Sequence, residues 1–266
     1  MATATNRTYN PKVYRELGGD ILRLRENGNS DRGLIATEDD LWGDCPLLNW
    51  LLDPTIGTYL AETWNVYDAA ATTGDYVLTQ ATTGTGAIDT AETGVFLLDS
   101  DSTTSTQGAQ IQRAKSAWVP AASTTIWAEF EFKIVDTYDK VELFAGLSEI
   151  DTTLIASSLN SSANHIGWEC VTDDGVLVFA GEKAGNRETA SVAATIAEAT
   201  YIKLGFKVTG VTSIAQYVNG TLTGSSLLTT AAVPVVALYP SFVCQSAGTN
   251  DPIMHLRGYR VFQTRA

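Results

Sequence analysis

Two glutamates separated by one residue, Glu129 and Glu131, come nearer than any other side chains of this sequence to a catalytic pair. Residues at positions i and i+2 of a β-strand point to the same face of a sheet. Two carboxyl groups on one face can serve as the acid and the base or nucleophile of glycoside hydrolysis. Neither glutamate is followed by the additional Asp and third Glu that such enzymes typically show, and Lys133 continues the same face. The pattern favours a solvated strand face, and we expect a protein that is not an enzyme.

The two histidines, His165 and His255, are widely separated, and neither stands in an HExxH motif. Two isolated imidazoles cannot form a three-histidine zinc site, so we expect both to be structural or solvent-facing. There is no GxSxG motif, and the serines between 157 and 162 lie in a polar run typical of a turn. No glycine-rich segment joins a strand to a helix, which argues against nucleotide binding.

Carboxylates in two loop-like stretches could bind calcium through oxygen ligands. They are Asp99 with Asp101, and Asp173 with Asp174. Because a few loop carboxylates are common on any acidic surface, we predict neither a metal ion nor an organic cofactor.

The three cysteines, Cys45, Cys170 and Cys244, are far apart and form no CxxC pair. An odd number of cysteines without metal-ligand spacing is typical of buried, reduced thiols. A disulfide between Cys170 and Cys244 would require that their strands be neighbours, and the sequence leaves this open.

The charge of the chain is unevenly distributed. The formal net charge is −13, whereas residues 1–35 carry six basic and four acidic side chains, a net of +2, which leaves −15 for the rest. The charged residues of this first segment are Arg7, Lys12, Arg15, Arg23, Arg25 and Arg32 against Glu16, Asp20, Glu26 and Asp31. An acidic body repels nucleic acid and anionic membrane surfaces, so we expect neither as a direct partner.

Three zones of different composition follow one another along the chain. Residues 1–35 show no helical or strand pattern, because a proline and several glycines interrupt it, and we predict an extended arm there. Residues 36–60 are an apolar connector in which Cys45-Pro46 could open a short helical turn. Residues 61–266 form the body. The first residues lack the apolar stretch of a secretory signal, and no run reaches transmembrane length.

The body alternates between apolar and polar residues in the manner of half-buried strands. Every second residue is apolar in residues 127–134, WAEFEFKI, and residues 201–208, YIKLGFKV, repeat the pattern. Such alternation is typical of antiparallel sheets. Hairpin turns are predicted at Asp174-Gly175 and at Asn219-Gly220. We therefore predict an all-β fold, an antiparallel jelly-roll β-sandwich with an extended N-terminal arm.

Trp118 and Trp127 fall at strand ends or in the outward-facing phase of a strand. Exposed aromatic faces stack on sugar rings, so these two tryptophans are candidate glycan contacts. The alternative is that the large rings close the open ends of the sandwich.

The segment YNPKVYRELGGDILRL, residues 9–24, resembles the N-terminal segment of tailed-phage virion proteins described as head-decoration, head-fibre or capsid-stabilising proteins. The matching residues are Tyr9, Pro11, Lys12, Val13, Tyr14, Arg15, Glu16, Gly18, Gly19 and Asp20, and Leu17 stands where Gln is common. Segments of the body, among them HIGWECVTDDG and TYIKLGFKV, are similar to the concanavalin A-like (laminin G-like) jelly roll of phage structural proteins. Together the two resemblances span nearly the whole chain.

The resemblance implies a cement or decoration protein on the outer surface of a phage capsid, made in the host cytoplasm and assembled into the virion. Its partners would be the major capsid protein and further copies of itself, as a homotrimer, with host surface glycans as an additional partner. The arm would bury apolar side chains and pair its arginines with carboxylates of the shell. The implied capsid-binding residues are Tyr9, Pro11, Lys12, Val13, Tyr14, Arg15, Leu17, Ile21, Leu22, Arg23, Leu24 and Arg25. A glycan- or receptor-binding module of a fibre or tail is the alternative.

Overall fold

The computed structural model describes residues 59–63, 76–81, 83–101, 103–114, 117–155, 163–172, 174–226, 230–248 and 250–264. For residues 59–63, 191–193 and 225–226 it describes the backbone only. The predicted N-terminal arm, with its capsid-binding residues from Tyr9 to Arg25, lies outside the described residues. So do Cys45, Asp173 and the predicted connector up to residue 58.

The described part of the chain consists of strands and turns, and its one helical element is a single 3₁₀ turn at Tyr138–Lys140. Within these residues there is no helix that could cross a lipid bilayer. The strands are β1 (Tyr59–Thr63), β2 (Tyr76–Ala81), β3 (Thr85–Ile88), β4 (Phe96–Asp99), β5 (Gly108–Arg113), β6 (Thr125–Val135), β7 (Val141–Ser148), β8 (His165–Cys170), β9 (Val176–Lys183), β10 (Asn186–Thr195), β11 (Ile202–Thr209), β12 (Ser213–Val218), β13 (Thr221–Ser226), β14 (Tyr239–Ser246) and β15 (Ile253–Thr264).

The strands form two antiparallel sheets that pack as a sandwich. The eight-stranded sheet has the order β13-β12-β11-β6-β15-β4-β3, and β1 pairs with the C-terminal half of β15 beside β4. The seven-stranded sheet has the order β10-β9-β8-β7-β14-β5-β2. The prediction of an all-β antiparallel sandwich is confirmed.

Alternation along the strands builds the core between the sheets. The apolar residues of β6 are almost completely buried, as the sequence pattern predicts: Ile126, Ala128, Phe130, Phe132 and Ile134. Phe130 lies 6.0 Å from Phe206 of β11 and 5.5 Å from Phe242 of the opposite sheet, measured between ring centroids. These aromatic contacts join the two sheets, since rings of this size bury a large apolar area.

Both predicted hairpins are present. β8 and β9 are joined through Asp174-Gly175, and β12 and β13 through Asn219-Gly220. Asn219 and Gly220 have φ values of 52° and 84°. Two successive positive φ angles are what a tight two-residue hairpin turn requires, and Asn-Gly adopts them readily.

The positions of Cys170 and Cys244 answer the question of the disulfide. Leu143 of β7 pairs with Cys170 on one side and with Cys244 on the other, so the two cysteines are separated by a whole strand. Strands lie about 4.8 Å apart, which puts the two Cα atoms beyond the reach of a disulfide. Both thiols are free and buried.

Candidate functional site

Glu129 and Glu131 lie on the outer face of the eight-stranded sheet, as the alternation of β6 indicates. Glu129 is 7% exposed and pairs with Arg260, which lies directly opposite it on β15. Glu131 pairs with Arg257 at 3.0 Å and approaches Lys203 at 3.9 Å. Basic side chains of the neighbouring strands thus neutralise both carboxylates, and Glu129 is buried where a solvated residue was predicted.

Farther along this face, the ring of Tyr201 lies next to two cations. The guanidinium carbon of Arg257 is 3.5 Å, and the ammonium of Lys133 is 4.7 Å, from the ring centroid. The Tyr201 hydroxyl donates to Glu92 at 2.9 Å, and Lys133 and Arg257 each donate to the same carboxylate at 2.8 Å. Hydrogen bonds from the two cations lower the pKa of Glu92 to about 2. Burial, followed by the hydrogen bond to Glu92, raises the pKa of Tyr201.

Asp89 and His255 border this ionic cluster. Oδ2 of Asp89 lies 3.4 Å from Nδ1 of His255, and that ring nitrogen is buried without a hydrogen-bond partner. Burial, followed by the charge of Lys133, lowers the pKa of His255. One ligand atom from each of Asp89, Glu92 and His255 lies within 4.8 Å of the other two. The three side chains therefore form a candidate metal-ligand cluster.

The two candidate glycan contacts are inside the protein. Trp118 is fully buried and Trp127 is 4% exposed. The ring of Trp127 packs against Phe262 with 5.5 Å between centroids, and the ammonium of Lys207 lies 5.6 Å from it. Neither ring presents a face on which a sugar could stack, so the prediction that they are exposed is wrong. Trp118 belongs to the core cluster between the sheets, whereas Trp127 lies on the outward face of β6 and is nevertheless buried.

The outer face of the seven-stranded sheet carries a second, smaller apolar cluster. The ring of Phe144 lies against Gly146 and Gly167, where an added Cβ atom would meet it at 2.7 Å. These two positions therefore require glycine. The other members of the cluster are Leu154, Ile155, Ala163 and Val243. Residues 149–155, which we term the covering loop, thus pack over this face.

Two glutamines fasten the covering loop to the sheet. Gln112 donates to the carbonyl of Glu149 at 2.8 Å and accepts from the amide of Asp151 at 3.0 Å. Gln110 donates to the carbonyl of Asp151 at 2.5 Å and accepts from the amide of Ile155 at 3.1 Å. Both glutamine side chains are buried. Their amides replace the water that would otherwise satisfy the backbone of the loop.

Beside the covering loop lies a group of four ionisable side chains, which we term the buried quartet: His165, Glu169, Glu182 and Arg187. Arg187 of β10, Glu182 of β9 and His165 of β8 lie opposite one another in a single cross-strand row. Arg187 also forms an ion pair with Glu169. His165 and Glu169 are fully buried, Glu182 is 3% exposed, and the Arg187 side chain is 38% exposed.

His165 is held in a defined orientation within the quartet. Its Nδ1 bonds to the carbonyl of Ala163 at 2.8 Å, and burial lowers its pKa to about 4. Nε2 of His165 and Oε2 of Glu169 are both buried without hydrogen-bond partners. Unpaired buried polar atoms and displaced pKa values are typical of functional sites, although structural ion clusters show them too.

The carboxylates considered as calcium ligands are only partly brought together. Asp99 lies beside Asp251. Burial, the largest effect, and the charge of Asp251 raise the pKa of Asp99, whereas the hydrogen bond from the Asp101 amide lowers it; the net change is a rise. Asp101 is next to Asp99 and donates its amide to it at 2.8 Å. The carboxylate of Asp174 is engaged within its own turn, where it accepts from Thr172 and from the amide of Val176.

The sequence singled out His165 and His255 but not the carboxylates around them. Asp89 and Glu92 precede β4, whereas His255 lies on β15 near the end of the chain. No short motif links residues so far apart, and only the pairing of β4 with β15 joins them. Alternation along HIGWEC, which places His165 and Glu169 on one face, was the signal available for the quartet.

The chain matches no protein-family model, and no curated protein matches its sequence. Several solved structures share its fold. Peanut lectin is 12% identical, with a TM-score of 0.53, and the match covers 78% of this chain and 98% of the lectin. Arcelin-5, a lectin-like defence protein from Phaseolus vulgaris, is 10% identical, with a TM-score of 0.52, over 79% of this chain and 100% of arcelin. An endo-1,3-β-glucanase from Streptomyces sioyaensis is 10% identical, with a TM-score of 0.51, over 74% of this chain and 92% of the glucanase.

The glucanase corrects one prediction made from the sequence. We expected a protein that is not an enzyme, and the comparisons contradict that expectation, because the fold occurs in an enzyme as well as in lectins and so gives no ground for excluding catalysis. Identities of 10–12% establish the fold alone. The chain has the concanavalin A-like jelly-roll fold of lectins and glucanases, as the resemblance of its body segments implied.

Proposed function

We propose that this protein is a structural virion protein that decorates the outer surface of a phage capsid. The N-terminal arm docks on the major capsid protein, and the sandwich is displayed outward. The observation that carries this proposal is the resemblance of residues 9–24 to the N-terminal segment of head-decoration proteins. The sandwich supports the proposal, because its described residues form one hydrophobic core, from Tyr76 to Val261, and the body that carries the arm thus has a core of its own.

The uneven charge of the chain supports the arm, rather than the body, as the part that docks on the capsid. The first 35 residues carry a net of +2 on a chain of net charge −13. A basic arm is attracted to carboxylates of a shell that would repel the acidic body. Ordering an extended arm is unfavourable in entropy, so the apolar residues between Val13 and Leu24 must bury substantial surface on the capsid. Self-association as a homotrimer would add avidity, since several arms then bind one particle.

The test is binding to purified capsids that lack the protein. The full chain is expected to bind at a saturating copy number that reflects capsid symmetry, whereas a chain without residues 1–35 keeps its cooperative unfolding but does not bind. Within the full chain, Arg15→Glu should weaken binding strongly, and Arg32→Glu, outside the matching residues, is the control for charge. Saturation of capsids by the truncated chain would contradict the proposal.

A second candidate function is glycan binding by a fibre or tail module. Peanut lectin and arcelin-5 support it through their shared fold. The binding site would have to use side chains other than Trp118 and Trp127, because both are buried. A glycan array with the full chain tests this candidate: reproducible binding that free sugar competes away supports it, and an array without signal contradicts it.

A further inference from the structure

Three side chains with metal-binding chemistry meet on the outer face of the eight-stranded sheet. Asp89 and Glu92 belong to the loop between β3 and β4, and His255 lies on β15, to which β4 is paired. Their ligand atoms lie within 4.8 Å of one another. Two ligands about 2.1 Å from a tetrahedral ion are about 3.4 Å apart, and Oδ2 of Asp89 lies 3.4 Å from Nδ1 of His255.

Of the three side chains, the imidazole of His255 has the nitrogen best suited to bind an ion. Nδ1 of His255 is buried and has no hydrogen-bond partner, although a carboxylate lies close to it. A buried polar atom without a hydrogen-bond partner is unfavourable, and a bound metal ion would satisfy it. The Asp89 carboxylate is fixed by the amide of Ala91, which donates to Oδ1 at 2.7 Å and leaves Oδ2 directed toward the histidine.

The two oxygens of Glu92 are held differently. Oε1 accepts from the Tyr201 hydroxyl and from Arg257, at 2.9 and 2.8 Å. Oε2 accepts from Lys133, at 2.8 Å. An ion bound at Oε2 would displace the Lys133 ammonium, and the bonds of Oε1 would keep the carboxylate in place. Lys133 already lies 4.7 Å from the centroid of the Tyr201 ring, which can retain it after the exchange.

We propose that Asp89, Glu92 and His255 bind a divalent transition-metal ion, with Zn²⁺ as the best match. One imidazole nitrogen and two carboxylate oxygens are ligands that Zn²⁺ accepts, and three protein ligands leave a fourth position for water or another ligand. A site made of carboxylates alone would favour calcium or magnesium, whereas the imidazole favours zinc. The bound ion would tie the β3–β4 loop to β15.

The charges around the site set its expected strength. Asp89 and Glu92 together offset the charge of a divalent ion, and Asp136 lies within electrostatic reach of His255. Lys133 and Arg257 act against the ion through their positive charge. Binding should therefore be weaker than at a dedicated structural zinc site, and removal of Lys133 should strengthen it.

The test is a calorimetric titration: the full chain is first treated with a chelator to remove bound metal, and Zn²⁺ is then added while the heat of binding is measured. The full chain is expected to bind one equivalent of Zn²⁺. Asp89→Asn and His255→Gln should each abolish this binding or lower the affinity about a hundredfold, because loss of an outer-shell partner alone lowers metal affinity about 10- to 100-fold. Lys133→Met should tighten binding by up to about fivefold, the worth of a surface ion pair. Asp251→Asn and His165→Gln are the controls and should leave the equivalent unchanged.

Two results would overturn the proposal. The first is the absence of saturable Zn²⁺ binding by the chelator-treated chain. The second is an equivalent that persists in both Asp89→Asn and His255→Gln, which would place it elsewhere in the chain. If a variant fails to fold, its circular dichroism spectrum shows this, and the opposite shift expected for Lys133→Met still decides the question. The outcome is independent of capsid binding, which is measured separately.

Discussion

Nε2 of His165 faces Oε2 of Glu169 at 3.6 Å inside the protein, and neither atom has a hydrogen-bond partner. Nδ1 of the same ring is bonded to the carbonyl of Ala163, so the neutral ring presents a lone pair to the carboxylate. Arg187 compensates Glu169 from the other side. The quartet is therefore sensitive to any change in the number of its protons or charges.

The first prediction concerns acid. Burial lowers the pKa of His165 from an ordinary value of 6.5 to about 4. Between these two pH values the imidazole is protonated in the unfolded chain and neutral in the folded chain. The associated stability is present above pH 6.5 and is lost as the pH falls toward 4, by about 3 kcal/mol. Denaturant unfolding between pH 7 and 4 measures it, and His165→Gln should remove most of this slope. His255→Gln is the matched control and should have a smaller effect; parallel curves for His165→Gln and the unsubstituted chain would contradict the prediction.

The second prediction concerns the ion pair of Arg187 with Glu169. Arg187→Met leaves a fully buried carboxylate without its cation, which should lower the free energy of unfolding by about 1–3 kcal/mol, less than for a pair with both partners buried, because the Arg187 side chain is 38% exposed. A double change, Arg187→Met with Glu169→Met, should recover much of the loss because it removes the uncompensated charge. Arg257→Met on the sheet surface is the control, with an expected loss of about 1 kcal/mol or less. Equal losses for Arg187→Met and Arg257→Met would argue against a buried pair.

The third prediction separates the two glutamines that hold the covering loop. Gln112→Ala should speed hydrogen exchange at the amide of Asp151, and Gln110→Ala should do so at the amide of Ile155, because each glutamine accepts from that amide. Each change should also destabilise the protein by about 1–3 kcal/mol, since buried backbone groups lose their partners. Gln80→Ala, an exposed glutamine, should alter neither amide. Unchanged exchange at both amides would show that the loop is held by other contacts.

The fourth prediction concerns the thiols. Burial raises the pKa of Cys170 to about 11 and raises that of Cys244, and thiolates rather than thiols are the reactive form. In a Cys45→Ser chain, which leaves these two cysteines, no thiol should react with a disulfide reagent in the native state, and two should react in denaturant. If no thiol reacted in denaturant, Cys170 and Cys244 would be joined in a disulfide, and this would contradict their separation by β7.

The periodicity of the sequence determined the class of the fold. Apolar residues at every second position of 127–134 and 201–208 predicted two strands with one buried face, and β6 and β11 have it. The Asn219-Gly220 turn was equally readable, because few residue pairs accept two positive φ angles. These features depend only on residues that are close together in the chain, so they can be recognised in a single sequence without knowledge of the fold.

Only the tertiary structure decided which side chains meet and which are exposed. The outward phase of β6 predicted solvent at Trp127 and Glu129, yet both are buried, Trp127 against Phe262 and Glu129 beside Arg260, both on β15. The same strand brings His255 to Asp89. The physical reason is that burial and ligand geometry depend on strand order, and strand order is set by the packing of the whole sandwich rather than by spacing along the chain.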